Sequence, residues 1–182
     1  MTKPALLLID VQKAFDDPVW GKRNNPDAEG QIANLLAAWR AKDLPVIHVQ
    51  HCSTEPNSTL RPEMPGNAFK DEAQPHDGEA VFKKNVNSAF IGTNLEAHLR
   101  EHGIESLVVV GLTTDHCVST SVRMAGNLGF TVTLVADACA TFDRHDVNGA
   151  YFTAEAIHDI HLASLNDEFC TVRKADQVLA EL

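Results

Sequence analysis

Leu107-Val108-Val109-Val110-Gly111-Leu112-Thr113-Thr114-Asp115-His116-Cys117-Val118 is the stretch whose reading decides the fold. A continuous apolar run, then glycine and small polar residues, then Val118, Val122 and Ala125 at helical spacing, predicts a strand, a tight turn and a helix. Cys117 stands at the helix start. The first turn of a helix carries unpaired N–H groups and the positive end of the dipole, both of which favour thiolate over thiol. Cys117 is therefore a candidate nucleophile, although small buried cysteines are also common as inert packing residues.

Outward from this stretch the same alternation repeats. Ala5 to Ile9 reads as a strand covered on both faces and ending in Asp10. Residues 11–25 carry Phe15, Pro18, Trp20 and Gly21 without a period, as expected of a loop that walls a pocket. Asn25-Pro26 reads as a cap and first helical position, followed by Ile32, Leu35, Leu36 and Trp39 on one face. Pro45 to Gln50 is a second strand, and residues 52–79, rich in proline, glycine and polar residues, form a long irregular excursion. Ala80 to Lys83 is a third strand leading into Lys84, and Thr93-x-x-Glu96 is a capping-box signature for a helix ending near Gly103. Val132 to Ala136 is a fifth strand ending at Asp137; a polar turn and a helix with Ile157, Ile160 and Ser164 on one face precede a sixth strand, Glu168 to Val172.

Strands alternating with helices predict an α/β fold: a mainly parallel six-stranded sheet with helices on both faces, in one domain spanning 1–182. Such sheets bind ligands beyond the carboxyl ends of the strands, where the strand order reverses. For the order 3-2-1-4-5-6 that point lies between strands one and four. Asp10 and Cys117 are then neighbours, and Lys84 projects from the same edge.

Composition narrows the partners. A formal net charge of −10 with 15 scattered Lys and Arg argues against nucleic acid or an anionic membrane, which need clustered cations. No apolar run approaches the roughly 20 residues that cross a bilayer. Cys52, Cys117, Cys139 and Cys170 form no C-x-x-C pair, which reads as free thiols in a reducing, cytoplasmic setting.

Chemically, Asp10 can take a thiol proton, Lys84 can keep that carboxylate charged and oriented, and Cys117 can attack a carbonyl carbon. Backbone N–H groups of Thr113 and Cys117 are the geometric candidates for the oxyanion site. Acyl transfer is the reaction such a set supports. Phe15, Trp20 and Phe90 are candidate substrate-binding walls, and Arg61 or Arg144 could hold a substrate carboxylate. His116, adjacent to Cys117 on a helix, points about 100° away and is expected to face solvent or a neighbouring subunit. His48 and His51 alternate across a strand and cannot chelate one ion without a bulge; His158 and His161, spaced i, i+3, read as ordinary helix residues. No metal site and no cofactor is expected.

Asp10-Val11-Gln12 with Phe15, Lys84 with Ser88-Ala89-Phe90 and Gly92-Thr93-x-Leu95, Gly111-x-Thr113-Thr114-x-x-Cys117-Val118, and Asp137-Ala138 together resemble the ordered motifs of the isochorismatase-like cysteine hydrolases. The resemblance spans nearly the whole chain. It implies a three-layer α/β/α sandwich, the triad Asp10, Lys84 and Cys117, and a cis peptide between Leu112 and Thr113 that turns the Thr113 N–H toward the oxyanion. It also implies a homo-oligomer, a dimer or tetramer. Within the family, the zinc-dependent nicotinamidases carry an Asp-x-His pair that is missing here, where the region reads His48-Val49-Gln50-His51-Cys52-Ser53. True isochorismatases cleave a vinyl ether without a cysteine nucleophile. Cys117 thus favours metal-independent cleavage of a small carboxamide or ureido compound; a non-catalytic binding protein on the same scaffold is the reading from another class.

Overall fold

Five consecutive apolar residues, Ala5–Ile9, form β1, and every one is buried because both faces of the strand are covered. The computed structural model describes residues 4–182. Around β1 lie β2 (Val46–His51), β3 (Ala80–Lys84), β4 (Ser106–Leu112), β5 (Thr131–Ala140) and, after a short antiparallel pair β6 (Arg144–His145) and β7 (Tyr151–Phe152), the strand β8 (Thr171–Arg173). The main sheet runs β3-β2-β1-β4-β5-β8, with every pairing parallel. This is the expected order, its sixth strand being β8.

The helices are α1 (Ala28–Ala41), α2 (Leu95–Glu101), α3 (Ser119–Asn127), α4 (Ala154–Leu165) and α5 (Ala175–Glu181). Successive strand residues point to opposite faces, and the core divides accordingly. Ala5, Leu7, Ile9, Leu107 and Val109 pack with Leu95 and Leu99 of α2, Val122 and Ala125 of α3 and Leu165 of α4. Leu6, Leu8, Val108 and Val110 pack with Ile32, Leu35, Leu36 and Trp39 of α1 and Ala175 and Val178 of α5. The result is the α/β/α sandwich.

Local readings need three corrections. Asn25 does not cap α1: the N-cap is Asp27, and the Asn25 side chain instead donates to the carbonyls of Ala136 at 3.0 Å and Cys139 at 2.7 Å, tying the loop to β5. The capping box at α2 does not form, since the Thr93 hydroxyl donates to the Ala89 carbonyl at 2.6 Å and the helix starts after Asn94. The β6–β7 pair begins in a stretch read as a polar turn, and α5 lies beyond the last element read; both elements are too short to declare themselves by period.

One glycine positions the site. Gly111 lies beside Ile9 in the β1–β4 register with φ +131°, and a Cβ there would stand 2.0 Å from the Ile9 carbonyl oxygen. Only a residue without a side chain allows β4 this close to β1, and the next residues of the two strands carry the site.

Candidate active site

Asp10 follows β1 in the left-handed region at φ 51°, a conformation aspartate tolerates better than most residues. Its N–H donates to the Val49 carbonyl at 3.0 Å, and the residue is fully buried. Lys84 ends β3, and its Nζ reaches three atoms: Asp10 Oδ2 at 2.6 Å, His51 Nδ1 at 2.9 Å and Cys117 Sγ at 3.3 Å. Cys117 lies in a π turn, Thr114–Val118, that joins β4 to α3. The Leu112–Thr113 peptide is cis, and the Thr113 carbonyl accepts the N–H groups of His116 and Val118, each at 3.2 Å. The structure thus brings Asp10, Lys84, Thr113 and Cys117 to one point at the carboxyl edge of the sheet.

The electrostatics differ from those expected of a helix-start thiol. Burial, followed by the Asp10 charge, pushes the Cys117 thiol well above its ordinary range, against the pull of Lys84. The dipole argument is local and loses to desolvation. The resting group is therefore a thiol that needs a base. Burial also pushes the Asp10 carboxyl up, opposed by Lys84, which makes it a stronger base than free aspartate. Lys84 engages only Oδ2; Asp10 Oδ1 is buried without a partner, as is the Thr113 hydroxyl.

His51 was expected only as one of two histidines unable to share an ion. Strand alternation does separate them: His48 turns to Glu79, its Nε2 2.8 Å from Oε2, while His51 turns to Lys84, its partner in the β2–β3 register. Alternation, carried one step further, would have put His51 on the face of the site. Burial and then the Lys84 charge hold its pKa down at about 4, so the ring is neutral. Donor atoms of Asp10, His51 and Cys117 lie within 4.8 Å of one another. A divalent cation held among those residues would stand against the Lys84 ammonium, whose Nζ already contacts all three, so the set does not fit a metal.

Beside Cys117 opens a cleft of about 150 Å³ walled by Phe15, Trp20, Leu60, His51, Asn87, Thr113 and His116. Phe15 and Trp20 meet as tilted rings 5.1 Å between centroids, and Phe142 stacks behind Trp20 at 5.5 Å. Phe90 is not part of this wall: it stacks on Phe130 at 6.0 Å and packs against the α2–α3 core, a tertiary contact no local pattern announces. His116 is half exposed yet lines the cleft, its Nε2 3.5 Å from Asp115 Oδ2. Arg61 pairs with Glu63; Arg144 Nε donates to Asp115 at 3.0 Å, and against burial that pairing and the Thr141 hydroxyl hold the Asp115 carboxyl at about 2. His158 and His161 do not converge: His158 Nδ1 meets Thr114 Oγ1 and His161 Nδ1 meets the Ile157 carbonyl, both at 2.8 Å. Cys52, Cys139 and Cys170 are free thiols; Cys52 follows His51 and its N–H donates to the Lys84 carbonyl at 2.6 Å, while burial pushes Cys139 up to about 12 and Cys170 to about 11.

Comparison with known proteins gives the family of the chain. The Isochorismatase domain family matches residues 4–177. The isochorismatase family protein YrdC of Bacillus subtilis (strain 168) is 50% identical over 177 residues, covering 97% of this chain and 95% of that one. A crystal structure of a hydrolase of this family from Chromobacterium violaceum superposes with a TM-score of 0.95 at 54% identity, covering 98% of this chain and 92% of that one. The ureidoacrylate amidohydrolase RutB of Rhizobium rhizogenes is 30% identical over 214 residues, covering 96% of this chain and 85% of that one.

Proposed function

The chain belongs to the isochorismatase family and is a hydrolase, and from that premise we propose that it cleaves the C–N bond of a small carboxamide or ureido compound through a thioester on Cys117. One observation carries this reading: Lys84 Nζ contacts both the Asp10 carboxylate and the Cys117 sulfur, while Asp10 Oδ1, buried, has no partner. That oxygen is free to take a proton. RutB, an amidohydrolase by name, supports the reaction class.

In this reading Asp10 Oδ1 removes the thiol proton, and the thiolate forms 3.3 Å from the Lys84 ammonium, which offsets the charge. The sulfur adds to the acyl carbon, and the N–H groups of Thr113 and Cys117 hold the oxyanion. Asp10 returns its proton to the departing nitrogen as the C–N bond breaks. Water then gives a proton to Asp10 and adds to the thioester; the acid leaves as the proton returns to sulfur. Lys84 holds Asp10 Oδ2 throughout. Phe15 and Trp20 wall the acyl side chain.

Ammonia release from a panel of small amides tests the proposal. Cys117→Ala and Asp10→Ala are expected to abolish it while leaving the circular dichroism spectrum unchanged, and mass spectrometry is expected to trap an acyl adduct on Cys117. Full activity in either variant, or an absence of turnover and adduct across the panel, defeats it; the latter result favours a binding protein. Chelators are expected to leave the rate unchanged, and loss of activity restored by zinc would support the nicotinamidase alternative.

Among the described residues no helix is long and apolar enough to cross a membrane. Free thiols fit the cytoplasmic placement we propose. We also propose a homo-oligomer, for which exposed Val147, Tyr151, Phe152 and Ile160 are the apolar surface to be covered; sedimentation equilibrium checks it.

A further inference from the structure

An ammonium has three donors and no acceptor. All three contacts of Lys84 Nζ are accounted for by Asp10, His51 and Cys117, and the one to His51 falls on Nδ1. The Nδ1 lone pair must accept, so the ring proton resides on Nε2. That nitrogen has no protein partner among the described residues, and the ring forms part of the cleft wall beside Cys117.

The backbone of His51 is held as well. The His51 N–H donates to Gln12 Oε1 at 2.8 Å, and the His51 carbonyl accepts from Gln12 Nε2 at 3.0 Å and Asn67 Nδ2 at 2.8 Å. Gln12 is fully buried, and its Nε2 also donates to the Asn67 carbonyl at 2.8 Å, so the clamp belongs to the packed core. An unpaired donor on a cleft-lining ring that is held through Nδ1 and through its backbone is built to meet a ligand.

We propose that His51 selects the substrate, its Nε2–H donating to an oxygen acceptor carried on the atom next to the scissile carbonyl. The inference rests on the hydrolytic reading, in which the tetrahedral carbon bears four groups. Sulfur is one, the oxyanion meets Thr113 and Cys117, and the leaving nitrogen meets Asp10. The acyl side chain is the group left to pass the His51 ring, which walls the same cleft as Cys117 and Thr113. The cleft, about 150 Å³, has room for roughly five waters at about 30 Å³ each, so the acyl group is short. His51 thus sets specificity for small 2-oxo or similarly oxygen-bearing amides over their alkyl analogues.

Pyruvamide and isobutyramide differ at the atom next to the carboxamide, which carries a carbonyl oxygen in the first and a methyl group and a hydrogen in the second. His51→Asn keeps an acceptor near Nδ1 for Lys84 and removes the donor at Nε2; His51→Gln places an amide near Nε2. In wild type, pyruvamide is expected to be preferred. In His51→Asn the ratio of kcat/KM for pyruvamide over isobutyramide falls about 10–100-fold, mostly through the KM of pyruvamide, on top of any loss that both amides share. His51→Gln recovers part of the preference. Intrinsic reactivity of the two amides cancels when variant and wild type are compared. An unchanged preference in His51→Asn overturns the proposal, and so does an equal loss on both amides, which marks a merely structural ring.

Binding separates this inference from the hydrolytic reading. In the turnover-deficient Cys117→Ala protein, the ¹⁵N signal of His51 Nε2 is expected to show the Nε2–H tautomer and to move on addition of pyruvamide but not of isobutyramide. A signal that neither amide moves, or an Nδ1–H tautomer, overturns the role of His51 whether or not the wild type hydrolyses amides. A selective shift in a protein whose wild type releases no ammonia upholds the binding role and defeats hydrolysis.

Discussion

Two buried lysines of this molecule sit in ion clusters of similar composition and opposite character. Lys70, in the long excursion, pairs with Asp16 and, at 2.8 Å, with Glu29 of α1, whose two oxygens also accept from Arg23 at 2.8 and 2.9 Å. Lys84 pairs with Asp10 at 2.6 Å, but only through Oδ2, and its other contacts are a neutral imidazole and a thiol. In the first cluster both Glu29 oxygens have partners, and against burial the bonds from Arg23 and Lys70 hold the Glu29 carboxyl down at about 2. In the second, one oxygen is orphaned and burial holds both Asp10 and Cys117 in their protonated direction. A saturated cluster fastens a loop to a helix; an unsaturated one keeps an oxygen available for a proton. Burial of a charge does not by itself distinguish chemistry from stability, whereas the count of satisfied oxygens does.

The largest expected effect comes from the geometry beneath the unsaturated cluster. Gly111→Ala sets a Cβ against the Ile9 backbone, which cannot move away without separating β1 from β4. We expect a loss of more than about 4 kcal/mol, read as a protein unfolded at room temperature in urea titrations; a stable, active Gly111→Ala protein would show that the strands do not need this approach. Next is the same substitution made in both clusters. Lys84→Met leaves Asp10 without its cation, and kcat/KM for a turned-over amide is expected to fall about 10²–10⁴-fold. Lys70→Met leaves Glu29 still paired by Arg23, so kcat/KM stays within about twofold and the urea midpoint reports a loss of about 1–3 kcal/mol. Equal effects of the two substitutions on activity would erase the distinction.

Much of this was legible in sequence, for a physical reason: parallel strands buried on both faces must be continuous apolar runs, and their ends are marked by the first residue that is not apolar. Asp10 after Ile9 and the turn after Val110 were found that way, whereas Lys84 ends a half-exposed edge strand in which Lys83 is already charged, and it was placed only as the residue into which that strand leads. What stayed hidden depends on contacts between distant segments. Asn25 bonds carbonyls of β5 more than a hundred residues away, which outweighs its local preference for a cap. Phe90 meets Phe130, and His51 meets Lys84 only once β2 and β3 are in register. The Cys117 thiol was misjudged for the same reason, since helix position is local and burial beside Asp10 is not.

Acid offers the finest cut between the clusters. Glu29, whose folded pKa of about 2 lies below its ordinary 4.5, contributes stability that is fully present above 4.5 and is lost as pH falls through about 2. Asp10 has the opposite sign: with a folded pKa above 3.8 it costs stability at neutral pH, a cost relieved as pH falls, and protonation removes the base. The acid limb of kcat/KM should therefore lie at higher pH than the acid limb of unfolding followed by circular dichroism, each pH unit of separation amounting to about 1.4 kcal/mol. Glu29→Gln should flatten the unfolding limb and leave the activity limb where it was. Lys84→Met, by removing the cation that pulls Asp10 down, should move what activity remains to still higher pH while the unfolding limb, to which Glu29, Glu79 and Asp115 all contribute, holds. Coincident limbs in the wild type, or limbs that move together in both variants, would mean that the two clusters titrate as one and that the division between fastening and chemistry is false.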